Sequence, residues 1–148
     1  PEGVSDPILE AVFVRHWRDS RLGGGREPKP LRWVGNFRET GWDDDPSAPS
    51  LVDCRGKRRA GYKDEVVRYL RAGKRLAISL GIERDHFEPS RHAGSLSTLT
   101  DGVYIWPELL SCYVEQHDML LPDDFEKHME RNGWEVPDAI DTKRLRWP

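Results

Sequence analysis

Apolar positions along this chain change their spacing several times, and each change marks an element. After Pro7, the residues Ile8, Leu9, Val12, Phe13, His16 and Trp17 recur at helical spacing. Ser5 or Asp6 can cap that segment, and Pro7 suits a first helical turn because its missing N–H needs no partner there. Gly23 to Gly25 end it, so residues 1–30 are predicted to hold a helix and a glycine-rich linker. From Leu31, LRWVGNF alternates apolar and polar residues, which predicts a half-buried strand over 31–37. RETGWDDDPSAPS has the glycine, proline and aspartate content of a loop, and SLVDCRG reads as another short strand.

Further on the period changes within one unit. Tyr62, Val66, Tyr69 and Leu70 share a helical face, Gly73 is placed to end that helix in the left-handed region, and RLAISLG follows as a strand over 76–81. ERDHFEPSRHAGSLS has loop composition. Asp101-Gly102 is a turn pair that opens a strand, GVYIW, over 102–106. Pro107 is expected to start the next helix, whose apolar stripe is Leu109, Leu110, Tyr113, Val114 and His117. Pro122 opens a third helix, PDDFEKHMERNG, with Asp123 and Asp124 in its positive first turn, Lys127 and Arg131 later, and Gly133 closing it. The tail is expected to pack through Trp134, Val136 and Trp147. Together these elements predict a single α+β domain over residues 1–148, with a small sheet and about three packed helices.

Composition narrows the class. At 148 residues the chain can bury a core without disulfides or metal, and its six tryptophans argue against disorder. The net charge of -3 disfavours a general nucleic-acid binder and leaves a basic or mixed-charge partner open. The two cysteines, Cys54 and Cys112, form neither a disulfide framework nor a zinc motif; two reduced thiols are expected, with a single bridge between them as the alternative. No apolar run approaches the roughly 20 residues of a membrane span, and PEGVSDPILE lacks the layout of a signal peptide. The expectation is a cytoplasmic protein without cofactor or metal.

Candidate chemistry is sparse. His86, Glu88, Arg91 and His92 fall in one loop of residues 83–95, yet no metal-ligand spacing accompanies them. Asp43, Asp44 and Asp45 lack the alternating oxygens, glycine and closing glutamate of a calcium loop. With Glu39 nearby and Trp42 as an aromatic anchor they form the first candidate for a partner-binding surface. Arg55 to Arg59, RGKRR, reads as a solvated turn rather than a phosphate site, since no aromatic platform is interleaved with it. No nucleophile elbow and no P-loop is present, so no catalytic residue is assigned. Asp101, in its TDG turn, is expected to bond backbone N–H groups.

The stretch GSLSTLTDGVYIWPELLSCYVEQHDMLLPDDFEKHMERNGWEVP resembles a group of small bacterial proteins that share a GS, TDG, WP, tyrosine-bearing helix, LP and phenylalanine run, and the upstream YKDEVVRYLRAG is similar to the group's preceding helix. The matching positions are Gly94, Ser95, Thr100, Asp101, Gly102, Trp106, Pro107, Tyr113, Leu121, Pro122 and Phe125. Some members of that group resemble immunity proteins of polymorphic toxin systems. What the resemblance implies is a protein-binding module that neutralises a cognate toxin domain. The alternative is a small hydrolase or nucleotide-processing enzyme built on the 83–95 loop.

Overall fold

The computed structural model describes residues 29–40, 46–58 and 61–148. The expected N-terminal helix and Gly23 to Gly25 lie outside the described residues. Within them the architecture is α+β. Strands β1 (Arg32–Trp33), β2 (Lys74–Ala77), β5 (Thr98–Thr100) and β6 (Tyr104–Pro107) form a four-stranded sheet in the order β1-β6-β5-β2. β1 runs parallel to β6, while the β6–β5 and β5–β2 pairs are antiparallel. Strands β3 (Glu83–Arg84) and β4 (His92–Gly94) make a separate two-stranded ribbon. The helices are α1 (Leu51–Cys54), α2 (Lys63–Arg71), α3 (Leu110–His117) and α4 (Asp123–Arg131), followed by a short 3-10 turn at Thr142–Arg144.

One continuous core joins sheet and helices. Leu99, Tyr104 and Trp106 from the sheet meet Val66, Tyr69 and Leu70 of α2, Leu110, Tyr113 and Val114 of α3, and Phe125 and Met129 of α4. Every residue of β5 and β6 is buried, as expected of central strands covered by helices. The indole N–H of Trp106 donates to the Leu70 carbonyl at 3.0 Å, so this buried ring leaves no donor unmatched.

Several expectations are corrected by local chemistry. SLVDCRG forms helix α1 instead of a strand, because the Ser50 hydroxyl accepts from Val52 N–H at 3.2 Å and Glu39 accepts from Leu51 N–H at 2.8 Å. Pro107 ends β6 rather than starting α3. The next two N–H groups, of Glu108 and Leu109, donate to the Ser97 and Ser95 carbonyls, which delays the helix to Leu110. Gly73 is not left-handed. A Cβ there would sit 2.6 Å from Trp106 Cζ2 and 2.9 Å from Leu99 Cβ, so glycine is needed for close approach. β2 starts earlier than expected and stops at Ala77, leaving Ile78, Leu80 and Ile82 exposed. Thr98–Thr100, a strand without alternation, and the ribbon within the supposed 83–95 loop escape the periodicity argument.

The carboxy-terminal tail packs as expected. Trp134 and Val136 lie against the core, and Trp147 approaches Trp33 with ring centroids 6.2 Å apart. Among the described residues no helix is long and apolar enough to cross a membrane.

Candidate functional site

Two buried carboxylates organise the ionisable groups of the interior. Asp101 is 2% exposed and accepts from Val103 N–H at 2.9 Å and Tyr104 N–H at 2.7 Å, closing the TDG turn. Its other oxygen accepts from the Tyr69 hydroxyl at 2.6 Å and lies 3.2 Å from His128 Nε2. The Tyr69 hydroxyl in turn accepts from Asn132 Nδ2 at 3.0 Å. Burial first, then Asp101, pushes the Tyr69 pKa far above its ordinary value. This network ties α2 and α4 to the turn before β6.

Asp85 plays the corresponding part at the other end. It follows β3 and accepts from Phe87 N–H at 2.9 Å and from Glu88 N–H at 3.3 Å. Arg91 Nη2 donates at 2.9 Å and His117 Nε2 lies 2.6 Å away. Burial acts to raise the Asp85 pKa, but the hydrogen bonds from His117, Arg91 and Phe87 overcome it and hold the carboxyl at about 2. An ionised carboxylate can only accept, so His117 Nε2 carries the proton. The 3.4 Å approach of Arg91 Nη2 to that nitrogen is then a meeting of two donors.

The 83–95 loop residues do not converge. Arg91 and His92 line a cleft of about 670 Å³ with Arg71, Arg75, Glu108 and Glu115. His86 sets its ring edge-on to Phe87 at 5.3 Å and gives its backbone N–H to the Tyr113 hydroxyl. Glu88 is exposed and pairs with Arg91 at 3.3 Å. The cleft arginines are matched as well, Arg71 to Glu115 at 3.1 Å and Arg75 to Glu108 at 3.5 Å. Cys54 and Cys112 are free thiols, and burial raises both pKa values, which disfavours a reactive thiolate. Among the described residues no group of three His, Cys, Asp or Glu side chains is arranged to hold a metal ion.

Of the sequence-predicted partner surface, Trp42, Asp43, Asp44 and Asp45 lie outside the described residues. Glu39 is turned toward α1, where its carboxylate accepts from the Ser50 hydroxyl and the Leu51 N–H.

A second cleft, of about 590 Å³, is lined by Arg58, Tyr62, Asp123, Glu126, Lys127, Glu130 and Trp134. Tyr62 departs from the buried face of α2 assigned to it: it is 59% exposed and stacks on Trp134, centroids 4.8 Å apart and planes 15° apart. Both residues hold positive φ, 56° and 61°. The third non-glycine residue of this kind among those described, Asp118 at φ 46°, accepts the Arg58 N–H through its carbonyl and pairs with Lys63 at 2.8 Å. Left-handed backbone at non-glycine residues is costly and tends to gather at functional sites. Arg58, expected in a solvated turn, has a side chain only 4% exposed. Nothing in RGKRR distinguishes that arginine from its neighbours. Tyr62 and Trp134 were visible as aromatics but not as a pair, since their contact spans most of the described chain.

No protein-family model, no curated protein and no solved structure matches the chain.

Proposed function

We propose that this chain is a protein-interaction module, an immunity factor that acts in the cytoplasm by binding a bacterial toxin enzyme and covering its working surface. The observation that carries this reading is the stack of exposed Tyr62 on half-buried Trp134, held on strained backbone beside Asp123, Glu126, Lys127 and Glu130. Large aromatics at a cleft edge make effective anchors in protein interfaces, and carboxylates around them suit a basic partner. The net charge of -3 points the same way, as does the resemblance of the Gly94 to Phe125 run to immunity proteins. The loop of Trp42 and Asp43 to Asp45 is a further anchor proposed from sequence alone.

Co-expression with the product of a neighbouring toxin gene in the native genome tests the reading. The wild-type chain restores growth and the purified pair forms a complex, whereas Trp134→Ala does neither. Absence of both rescue and complex for the wild-type chain rejects it.

A small enzyme using the 83–95 loop has one observation in its favour, the shared presence of Arg91 and His92 in the larger cleft. Its requirement is a small anionic substrate whose binding Arg75→Ala removes while leaving the toxin pairing intact.

A further inference from the structure

β2 is an edge strand of the four-stranded sheet, and the chain that leaves it carries the most exposed large apolar side chains of the described residues. Ile78 is 71% exposed, Leu80 94% and Ile82 63%. The segment is held at both ends. Ser79 N–H donates to Ser97 Oγ at 3.0 Å, and the same hydroxyl donates to the Ser79 carbonyl at 3.4 Å. Further on, Glu83 pairs with Gly94 in the β3–β4 ribbon. Aliphatic side chains gathered on a tethered surface segment mark a contact site.

We infer that a second copy of this chain docks on that edge, antiparallel, about a twofold axis through Ile78. Alternation along an extended chain sets the register. Ser79 turns its peptide groups inward to Ser97, so those of Ile78 and Leu80 face the outer side of the sheet. With Ile78 opposite its own counterpart, Leu80 of each copy meets half-buried Leu76 of the other, closing one self-complementary aliphatic row. Gly81, at φ 100°, turns the chain after Leu80, which disfavours a register centred further along.

Charge selects a like copy over a basic or an acidic partner. Exposed Arg75, Glu83 and Arg84 around the patch carry both signs, so either kind of partner would meet like charge. An antiparallel copy instead brings the Arg75 end of one segment to the Glu83 end of the other. The Arg75–Glu108 pair, 3.5 Å long and exposed on both sides, holds Arg75 only weakly. Contact along this one segment falls short of the roughly 20–30 residues a side of a stable complex, so the pair forms at high protein concentration and separates on dilution. None of these residues lines the Tyr62–Trp134 cleft. The dimer therefore carries two such clefts, and the inference does not depend on the interaction reading.

Sedimentation equilibrium of the full chain, from micromolar to millimolar concentration, should show the mean mass rising from that of the monomer toward that of the dimer. Leu80→Asp changes an almost fully exposed position, and should weaken association by about tenfold or more with an unchanged urea midpoint. In a Cys54→Ser, Cys112→Ser background, mild oxidation should join Ile78→Cys chains about tenfold faster than Val52→Cys chains, since only the former bring two thiols together at the axis. A chain that stays monomeric at millimolar concentration, association untouched by Leu80→Asp, or equal cross-linking at the two positions would each overturn the inference. A monomer that instead sediments with phosphatidylglycerol vesicles, or that needs Leu80 to bind the toxin, gives the patch to that occupant and overturns it too. Toxin protection is read separately. A monomeric chain that still protects removes the dimer and leaves the interaction reading standing, whereas a dimer that fails to protect removes only the interaction reading.

Discussion

The Tyr69 hydroxyl donates to the Asp101 carboxylate at 2.6 Å, with both groups buried and thirty-two positions apart in sequence. This bond joins the last turn of α2 to the turn that starts β6, and Asn132 of the α4 terminus closes on the same hydroxyl at 3.0 Å. Tyr69→Phe removes the shared atom, leaving Asp101 with its backbone donors and Asn132 without this acceptor. The expected loss is about 1–2 kcal/mol in urea unfolding. Asp101→Ala additionally orphans the buried Tyr104 N–H and opens the turn, so about 3 kcal/mol or more is expected. Equal effects of the two substitutions would contradict the central place given to Asp101.

Acid should weaken this fold through Asp85. Its carboxyl pKa is held at about 2 in the folded chain, against an ordinary value of 3.8. A depressed folded pKa contributes stability that is fully present above the unfolded value and is lost as pH falls toward the folded one. The window is therefore about pH 4 down to about pH 2, and the contribution is on the order of 2 kcal/mol. Urea unfolding at stepped pH should show a steeper decline for the wild-type chain than for Asp85→Asn across that window. Parallel curves would place the acid sensitivity elsewhere.

Gly73 offers a steric test. Its backbone is not left-handed, so alanine meets no conformational penalty there, yet its Cβ would lie 2.6 Å from the Trp106 ring. Gly73→Ala should cost about 1–3 kcal/mol by overpacking. The loss should appear with a changed near-ultraviolet signal as the indole shifts. At Gly133, where φ is 64° and no residue other than its chain neighbours lies within 4 Å of the added carbon, any loss would come from the backbone rather than from overpacking.

Local patterns carried much of the scaffold. Leu109, Leu110, Tyr113, Val114 and His117 satisfy helical spacing, and all five are buried. Asp101 before Gly102 announces its own turn, because an aspartate bonding N–H groups two and three residues ahead is short-range chemistry. The site was less legible. Tyr62 fits the spacing of the α2 face, but its positive φ turns the ring out to Trp134, and no periodicity encodes that rotation. Asp85 sits among charged neighbours and becomes distinctive only when His117 and Arg91 close around it. Arg58 is one cation in a run of several, and its burial depends on α4 supplying Glu126 from far along the chain.

Tyr62→Gly separates stability from recognition. The left-handed position costs tyrosine about 1–2 kcal/mol relative to glycine, which adopts it freely. Losing the stack on Trp134 costs about 0.5–1.5 kcal/mol, and the exposed ring contributes little else. The two effects oppose each other, and the α2 bond from Val66 N–H to the Tyr62 carbonyl is untouched because it uses backbone atoms. Unfolding free energy should stay within about 1 kcal/mol of the wild type. If the strained ring is retained for partner binding, affinity for the toxin should fall by about tenfold or more, the effect expected of an interface anchor. A marked loss of stability with protection intact would make Tyr62 a packing residue and remove the reason to place recognition at this cleft.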